Sequence, residues 1–194
     1  MCSIFLNDLE ITKKFCEPCF PASYKIFAFS VSCINELIGN YLKSLIDEND
    51  LGEKEMFVLL SWLDTYKSDY FMGSPKLKLN VSMLPELLDG TYYQKALNSY
   101  VENASNTMTK WFQNAMDKHF NEWISEDPKM FDEYESNMPI DINSMLIQQL
   151  DLISYANDDR FAKETLKLIN NKLNIFVENL KSKSTFFCTK YSQN

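Results

Sequence analysis

The chain has 194 residues and a formal net charge of -8 at pH 7, with 45% hydrophobic and 14% aromatic residues. This composition predicts an ordered domain with a sizeable core and does not fit a disordered segment. The acidic charge disfavours nucleic acid, which needs a clustered basic face, and broad adhesion to anionic membranes. We expect no direct membrane insertion, because the most apolar run, residues 26–34, is far shorter than the roughly 20 residues of a transmembrane helix.

Cysteine usage and the N-terminal sequence bear on the cellular compartment. The only apolar patch near the N-terminus is interrupted by Asn7, Asp8 and Glu10, so a signal-peptide pattern is absent from this sequence. The five cysteines are an odd number and lie mostly on or beside predicted helices. That usage suits a reducing compartment better than a disulfide framework. We therefore expect a cytoplasmic protein.

The first part of the chain predicts a short helix, a linker and then a strong helix. Residues 3–15 form a weak amphipathic pattern, which is followed by a Cys-Glu-Pro-Cys sequence at residues 16–19. Residues 22–48 place about two apolar side chains in each helical turn. This spacing gives the second helix a wide apolar face, suited to packing against more than one neighbour.

A shorter helix and an irregular segment are predicted next. Asp50 and Glu53 form a capping-box pattern, which predicts a helix over residues 53–68. Residues 69–90 lack a helical period, and apolar side chains alternate within residues 77–83 as they would in a strand. Because no second strand candidate is available to pair with this one, we interpret the segment as an extended crossover that lies on the helices.

The most regular stretch is residues 91–126, which contain no glycine or proline and repeat apolar side chains at three- and four-residue steps. Thr91 and Gln94 supply a capping-box start, and the Asp-Pro sequence at residues 127–128 supplies the stop. Such a helix is about 54 Å long at ~1.5 Å per residue. A compact ball of this chain length has a radius of gyration of only roughly 16 Å, so we expect an elongated molecule.

The C-terminal part predicts a loop, two helices and a tail. Residues 126–135 hold five acidic side chains and one lysine, which favours a solvated loop. Pro139 is suited to the first turn of the following helix. Asn157 and Asp158 supply a cap for the last helix, which we expect to end near Lys181.

Together these elements predict an all-α fold, an elongated rod of antiparallel helical bundles with about five to six helices. We expect three regions along the chain. They are a short helix with a Cys/Pro linker over residues 1–21, a helical-bundle domain over residues 22–182, and a frayed tail over residues 183–194.

Candidate catalytic residues are scarce. His119 is the only histidine, and acid–base catalysis would require a partner placed beside it. Cys16 and Cys19 form a single C-x-x-C pattern, which we interpret as a turn between helices that contains cysteines. With four scattered glycines, neither a dinucleotide-binding loop nor a Walker loop can be written. We predict no catalytic residue, no metal site and no cofactor.

The candidate catalytic residues indicate no family, but several motifs along the chain do. In chain order the motifs are EMFVLLSWL at 55–63, MGSP at 72–75, LPELL at 84–88, MTKWFQNA at 108–115 with Trp123, and MPIDI at 138–142 leading into MLIQQL at 145–150. Through the order and spacing of these motifs, and not through one signature, residues 24–181 resemble the exocyst complex component 3 (sec-six) family. The sequence departs from the family pattern at residues 132–134, where a Gly-Tyr loop is common, and at Asn143, where an aromatic residue is common.

The resemblance implies a stacked helical-bundle rod of the tethering-complex type. It also implies a subunit of the exocyst, which docks secretory vesicles at the plasma membrane before SNARE-mediated fusion. The implied partners are other exocyst subunits and a plasma-membrane SNARE, contacted through helix faces. The resemblance implies a peripheral location, at plasma-membrane sites of secretion. It also implies that the protein is not an enzyme.

Three other functions stay open at this point. The nearest alternative within the family is a diverged paralogue that remodels cortical membrane or actin outside the complex. A thiol-redox or zinc protein would use Cys16 and Cys19. A secreted helical cytokine is disfavoured, because the sequence lacks a signal pattern and has an odd number of cysteines.

Overall fold

The structure is a computed structural model that describes residues 2–125, 137–156 and 158–191. The described residues form six α-helices joined by irregular segments and single helical turns, and they contain no β-strand. The helices are α1 (Cys2–Ile11), α2 (Ile26–Glu48), α3 (Glu53–Lys67), α4 (Gly90–Ser125), α5 (Met138–Ala156) and α6 (Asp159–Tyr191). The predicted all-α class is therefore confirmed. None of the described helices combines the length and apolar character that a membrane crossing requires.

The chain divides into two compact units, Met1–Tyr100 and Val101–Asn194, with the boundary inside α4. We call them unit 1 and unit 2 and describe each by itself. The expected elongated rod, and the division of the protein into residues 1–21, 22–182 and 183–194, stay predictions.

The linker between α1 and α2 contains three short helical turns of two kinds. A π-helical turn covers Thr12–Cys16, a 3-10 turn covers Glu17–Cys19, and a second 3-10 turn covers Ala22–Tyr24. Lys25 then takes a left-handed backbone conformation, with φ 47° and ψ 44°. Because an α-helix cannot continue through that conformation, α2 begins at Ile26 and not at the predicted residue 22.

The predicted capping box of α3 is wrong. The residue that precedes α3 is Gly52, whose extended backbone accepts a hydrogen bond from the Met56 N–H at 3.0 Å, and no side chain caps this end. Asp50 lies two residues before this position. Glu53 and Glu55 instead supply negative charge in the first turn, where the helix dipole favours it.

The predicted crossover between α3 and α4 is confirmed as irregular chain with a single 3-10 turn, Val81–Met83. It lies directly on α2, because a Cβ atom at Gly39 would come within 2.9 Å of the Leu87 carbonyl oxygen. Leu77, Leu87 and Leu88 of the crossover are buried. Only glycine at position 39 leaves room for this approach of backbone to helix.

The start of α4 is one residue earlier than predicted, and its cap is a different residue. The Asp89 carboxylate accepts hydrogen bonds from the backbone N–H groups of Thr91 at 2.9 Å and Tyr92 at 3.0 Å. Asp89 is thus the N-cap, and the predicted capping role of Thr91 is wrong. The described part of the helix is Gly90–Ser125, and the predicted stop at residues 127–128 lies outside the described residues.

Unit 2 contains the rest of α4 together with α5 and α6. The predicted cap at the start of α6 is confirmed, because the Asp158 carboxylate accepts from the backbone N–H groups of Arg160 at 2.7 Å and Phe161 at 3.3 Å. The predicted acidic loop at residues 126–135 and the predicted contribution of Asn157 lie outside the described residues.

The last helix continues to Tyr191, so its predicted end near Lys181 is wrong. Residues 182–191 contain no glycine or proline that would stop the helix. Phe187 is buried, and its ring lies 6.1 Å from the Phe120 ring and 5.7 Å from the Trp123 ring. This aromatic contact with α4 secures a stretch whose own sequence is mostly polar.

Candidate docking surface

The two cysteines of the single C-x-x-C pattern lie in the linker between α1 and α2. Cys16 and Cys19 are free thiols, and the Cys19 thiol donates a hydrogen bond to the Phe15 carbonyl oxygen at 3.1 Å. Within residues 2–125, 137–156 and 158–191, no cluster of His, Cys, Asp and Glu has a metal-binding arrangement. Cys33 and Cys188 are also free thiols on exposed positions.

His119 is the histidine singled out by the sequence, and it lies between two carboxylates in unit 2. Its side chain is only 4% exposed. Nδ1 lies 3.2 Å from Glu122 on the same helix, and Nε2 lies 3.3 Å from Asp141 on α5. Because the carboxylates flank opposite ring nitrogens, they cannot share one metal ion with the ring. The arrangement links α4 to α5.

An apolar groove in unit 1 is the clearest candidate for a functional surface. It lies between α1, α2, α3 and the segment that follows α3, and has a volume of about 510 Å³. The described side chains that line it are apolar or aromatic: Phe5, Leu37, Ile38, Tyr41, Leu42, Trp62 and Phe71. We call it the unit 1 groove. A concave surface with so little polar lining suits an apolar partner better than a polar substrate.

The groove follows from the wide apolar face of α2. Positions 37 and 38, and positions 41 and 42, are neighbouring apolar pairs one turn apart. Ile38 and Leu42 are buried and form the floor. Leu37 and Tyr41 are 60% and 54% exposed and form the rim. One half of the predicted wide face thus packs within unit 1, and the side chains of the other half are more than half exposed.

The exposed half of α2 continues beyond the groove. Phe29, Cys33, Leu37 and Tyr41 recur at four-residue steps, and each is exposed. We call this set the α2 stripe. Phe29 alone is 67% exposed, which is unusual for a large aromatic side chain in a run of similar neighbours. An extended apolar surface of this kind marks a protein-interaction site in a folded protein.

Two ion pairs in unit 1 connect α2 with the start of α4. Lys95 contacts Asp47 at 2.5 Å, and this hydrogen bond holds the pKa of the Asp47 carboxyl below its usual value. Lys43 lies 3.6 Å from Asp89, whose pKa is lowered chiefly by the backbone N–H of Tyr92. These contacts fasten the N-terminal end of α4 to α2 and leave the stripe itself uncharged.

Unit 2 has a second groove, of about 490 Å³, between α4, α5 and α6. Its lining includes the polar side chains of Asn143 and Ser184 beside apolar ones such as Leu173 and Val177. Trp123 and Met138, which also line it, flank the part of the chain that the structure does not describe. The unit 1 groove is therefore the better defined of the two surfaces.

Several aromatic side chains of the described residues pack on one another. Trp62 lines the unit 1 groove, and its ring lies 5.6 Å from that of Tyr66. Phe112 packs on Phe176 at 5.1 Å, and Trp123 packs on Phe120 at 5.0 Å. The sequence analysis did not identify the α2 stripe as a site. The signal for it in the sequence is the four-residue spacing of side chains on an apolar face that is wider than one neighbouring helix can cover.

Comparisons with known proteins agree on one family. Residues 2–194 match the model of a family described as exocyst complex component Sec6. The chain is 29% identical over 160 residues to exocyst complex component 3 of Drosophila melanogaster, which covers 80% of this chain and 22% of that protein. It is 25% identical over 147 residues to an exocyst complex component 3-like protein of Danio rerio, covering 73% of this chain and 19% of that protein.

A human relative shows the same pattern. The chain is 26% identical over 157 residues to an exocyst complex component 3-like protein of Homo sapiens, covering 78% of this chain and 21% of that protein. The chain thus spans about a fifth of the length of the curated relatives it matches. No solved structure matches it.

Proposed function

Because this chain belongs to the exocyst complex component Sec6 family, we propose that it is a subunit of the exocyst tethering complex. In this role it acts in the docking of secretory vesicles at the plasma membrane before SNARE-mediated fusion. Its work is done by protein contacts of helix faces and involves no catalysis or cofactor. It is cytoplasmic and lies at the periphery of the plasma membrane at sites of secretion.

The family match over residues 2–194 is the observation that supports this proposal. The surface chemistry agrees with it, because the unit 1 groove and the α2 stripe offer apolar contact area. The proposed partners are other exocyst subunits and a plasma-membrane SNARE. Nucleic acid and the bilayer interior are not among them, since the net charge is -8 and no described helix could span a membrane.

Co-purification tests the proposal directly. The full chain is co-expressed with the other exocyst subunits and a plasma-membrane SNARE and passed over a sizing column. We expect it to co-elute with at least one of them. A double substitution on the groove rim, Leu37→Asp with Tyr41→Asp, is expected to abolish co-elution, because it introduces charge into an apolar contact.

The matched control places the same charges on an exposed part of unit 2. Ile147 and Tyr155 on α5 are 48% and 79% exposed, so Ile147→Asp with Tyr155→Asp should leave co-elution intact. Circular dichroism checks that both double variants keep their helical content. Clean separation of the wild-type chain from every subunit and from the SNARE would contradict the proposal.

A second candidate function is that of a diverged paralogue, which acts in cortical membrane or actin remodelling outside the complex. The observation that favours it is the similarity to relatives named component 3-like. Affinity capture followed by mass spectrometry separates the two functions. Recovery of exocyst subunits in stoichiometric amount supports the first, and recovery of actin-associated proteins without them supports the second.

The thiol-redox or zinc hypothesis is tested with the same purified chain. Cys16 and Cys19 are both free thiols, separated by two residues in a 3-10 turn. Reversible protection from alkylation by oxidant, or stoichiometric zinc in a metal assay, would support this third function. We expect neither.

A further inference from the structure

We infer that residues 4–25, which comprise most of α1 and the linker, form a strap that closes over α2 and the crossover and opens while the rest of unit 1 stays folded. This inference concerns the conformation of unit 1, so it goes beyond the proposed function and does not depend on it. Three features of the strap support it: its sparse burial, its few attachments, and the apolar side chains beneath it.

The strap buries very little of its own surface. Of the side chains in residues 4–25, only Leu9 is buried, whereas α2 buries seven of its 23 residues. Five large apolar side chains of the strap are exposed: Ile4, Ile11, Phe15, Phe20 and Tyr24. Most of the stability of a helix in a protein comes from packing of its apolar face. A segment with so few buried apolar contacts therefore opens at a lower free energy than the core.

Two lysines attach the strap to the described part of unit 1 through polar contacts. The Lys13 ammonium donates a hydrogen bond to the Leu77 carbonyl oxygen and lies 4.6 Å from the centre of the Phe27 ring. From the opposite side, Lys76 of the crossover contacts Glu10 at 3.1 Å, but the Lys76 side chain is 69% exposed. Because an exposed ion pair adds little stability, Lys13 is the stronger of the two attachments.

Other hydrogen bonds of the strap keep it wound without attaching it to the rest of unit 1. The Thr12 hydroxyl donates to the Asp8 carbonyl oxygen at 2.8 Å, and the Cys19 thiol donates to that of Phe15. The strap ends at Lys25, whose left-handed backbone separates it from α2. A residue at the end of an element is where a hinge absorbs a change in backbone angles. The strap can therefore swing about Lys25 while the hydrogen bonds inside α2 stay intact.

The strap covers apolar side chains that belong to the core of unit 1. Phe27 and Leu77, the two residues that Lys13 contacts, are 6% and 0% exposed. Phe5 of the strap lines the unit 1 groove together with Phe71, which is 1% exposed. Opening of the strap thus removes one wall of the groove and uncovers buried apolar surface beside it. The closed strap is an autoinhibitory contact on the inner face of α2.

Amide hydrogen exchange of the full chain, read by mass spectrometry, tests the inference. After correction for intrinsic rates, peptides from residues 4–11 and 12–24 should exchange at least about a hundredfold faster than the most protected peptides of α2 and α3. Equal protection of the strap and α2 would overturn the inference, because the strap would then open only when unit 1 unfolds.

Lys13→Ala and Lys14→Ala are a matched pair that tests the attachment. The two lysines are neighbours in the same π-helical turn, but the Lys14 ammonium lies over the ring of Phe15, within the strap itself, at 5.1 Å. Lys13→Ala should speed exchange in both strap peptides by about tenfold or more and leave α2 and α3 unchanged. Lys14→Ala should change exchange in the strap by less than about twofold.

Leu9→Ala is a second variant, which removes the one buried side chain of the strap. It should also speed exchange in both strap peptides by about tenfold or more. Circular dichroism checks that each variant keeps its helical content. Faster exchange in residues 4–11 alone would show fraying of α1, and faster exchange in α2 and α3 as well would show that strap and core unfold together. Either result, or no change in the Lys13→Ala chain, would overturn the inference.

Discussion

Tyr66 and Asn35 form a buried hydrogen bond between α3 and α2 in unit 1. The Tyr66 hydroxyl donates to the Asn35 side-chain oxygen at 2.8 Å, and both side chains are buried. Burial raises the pKa of the Tyr66 hydroxyl, so it stays a donor well into the alkaline range. Asn35 is a polar side chain on the buried side of α2, and this bond is what satisfies its oxygen.

Replacing Tyr66 by phenylalanine should therefore destabilise the protein more than losing one hydroxyl normally does. The Asn35 oxygen is left buried without its donor, which costs about 1–3 kcal/mol. Urea unfolding followed by circular dichroism measures the change. The control is Tyr155→Phe on an exposed side chain, with an expected change within about 0.5 kcal/mol. Equal effects of the two substitutions would contradict the role given to the Tyr66–Asn35 bond.

His119 is a structural residue with two acidic neighbours. Ionised carboxylates only accept hydrogen bonds, so a ring N–H of His119 can donate to the carboxylate beside it. His119→Ala should destabilise unit 2 by about 1–3 kcal/mol, because it removes a buried side chain and leaves Asp141 without its link to α4 through the ring.

Lys118→Ala is the matched control for His119→Ala. Lys118 lies 3.8 Å from the same Asp141 carboxylate, but its side chain is 60% exposed. Exposed ion pairs contribute about 0–1 kcal/mol. The urea midpoints of the two variants decide between the roles, and a larger loss for the lysine variant would show that the surface pair, and not the buried ring, connects α5 to α4.

The Asp89 cap gives a prediction about acid stability. The backbone N–H of Tyr92, followed by that of Thr91, lowers the pKa of Asp89 in the folded chain. A carboxyl group with a lowered folded pKa contributes stability above its unfolded value of about 3.9, and that contribution is lost as pH falls through the folded value. Asp89→Asn keeps a side-chain oxygen for capping but does not titrate.

We therefore expect the wild-type chain to lose more stability on acidification than Asp89→Asn does. The measurement is the urea midpoint as the pH is lowered from about 5 to about 3, on either side of the unfolded value. The two chains should converge at the acid end of the series. Parallel curves over the whole series would show that the Asp89 charge does not contribute to capping.

At the scale of the element, the close approach of the crossover to α2 depends on one glycine. Alanine favours a helix over glycine by about 1 kcal/mol, but a Cβ atom at position 39 would lie 2.9 Å from the Leu87 carbonyl oxygen. Backbone cannot give way as a flexible side chain can. We expect the steric effect to dominate, so that Gly39→Ala destabilises unit 1 by about 1–3 kcal/mol.

Gly90→Ala is the control for Gly39→Ala, because a Cβ atom at Gly90 meets nothing within 4 Å. Gly90 is the first residue of α4, and substitution there should be neutral or stabilising by up to about 1 kcal/mol through the unfolded chain. Thermal unfolding of both variants compares them. Stabilisation by both would show that the crossover can move away from α2.

The helices themselves were largely predictable from sequence, and their ends were not. Apolar periodicity over 15 or more residues identifies α2, α3 and α4, because burial of one face dominates their stability. The cap patterns at Asp50 and Thr91 failed because suitable residue types occur close together, and only backbone geometry selects one. The extra length of α6 depends on Phe187 meeting α4, a contact between distant parts of the sequence that local periodicity does not contain.

For the candidate site, the sequence predicts the apolar face of α2 but not which part of that face is exposed. An apolar face that is too wide for a single neighbour is visible in the sequence of α2. Which half of that face unit 1 covers depends on how α1 and α3 dock, and no local pattern states this. Only the structure therefore shows that Leu37 and Tyr41 are exposed while their neighbours Ile38 and Leu42 are buried.

At the scale of the whole molecule, the proposed role in protein contact rests on family membership and on surface chemistry. Motif order alone identified the family, because spacing along a helical chain persists when individual residues change. The match covers residues 2–194, while the aligned part is about a fifth of each curated relative.

The purified chain should expose enough apolar surface to bind a hydrophobic dye such as ANS, and the α2 stripe should be a main source of that binding. Leu37→Ser with Tyr41→Ser should lower the dye fluorescence by about twofold, since both side chains are more than half exposed. Their removal should change the free energy of unfolding by no more than about 1 kcal/mol. Ile147→Ser with Tyr155→Ser makes the same chemical change on α5 and should lower the fluorescence less. If the α5 substitutions reduce the dye signal as much as the α2 substitutions do, the exposed apolar surface is spread over the molecule. The α2 stripe is then not distinguished from other surfaces as a docking site.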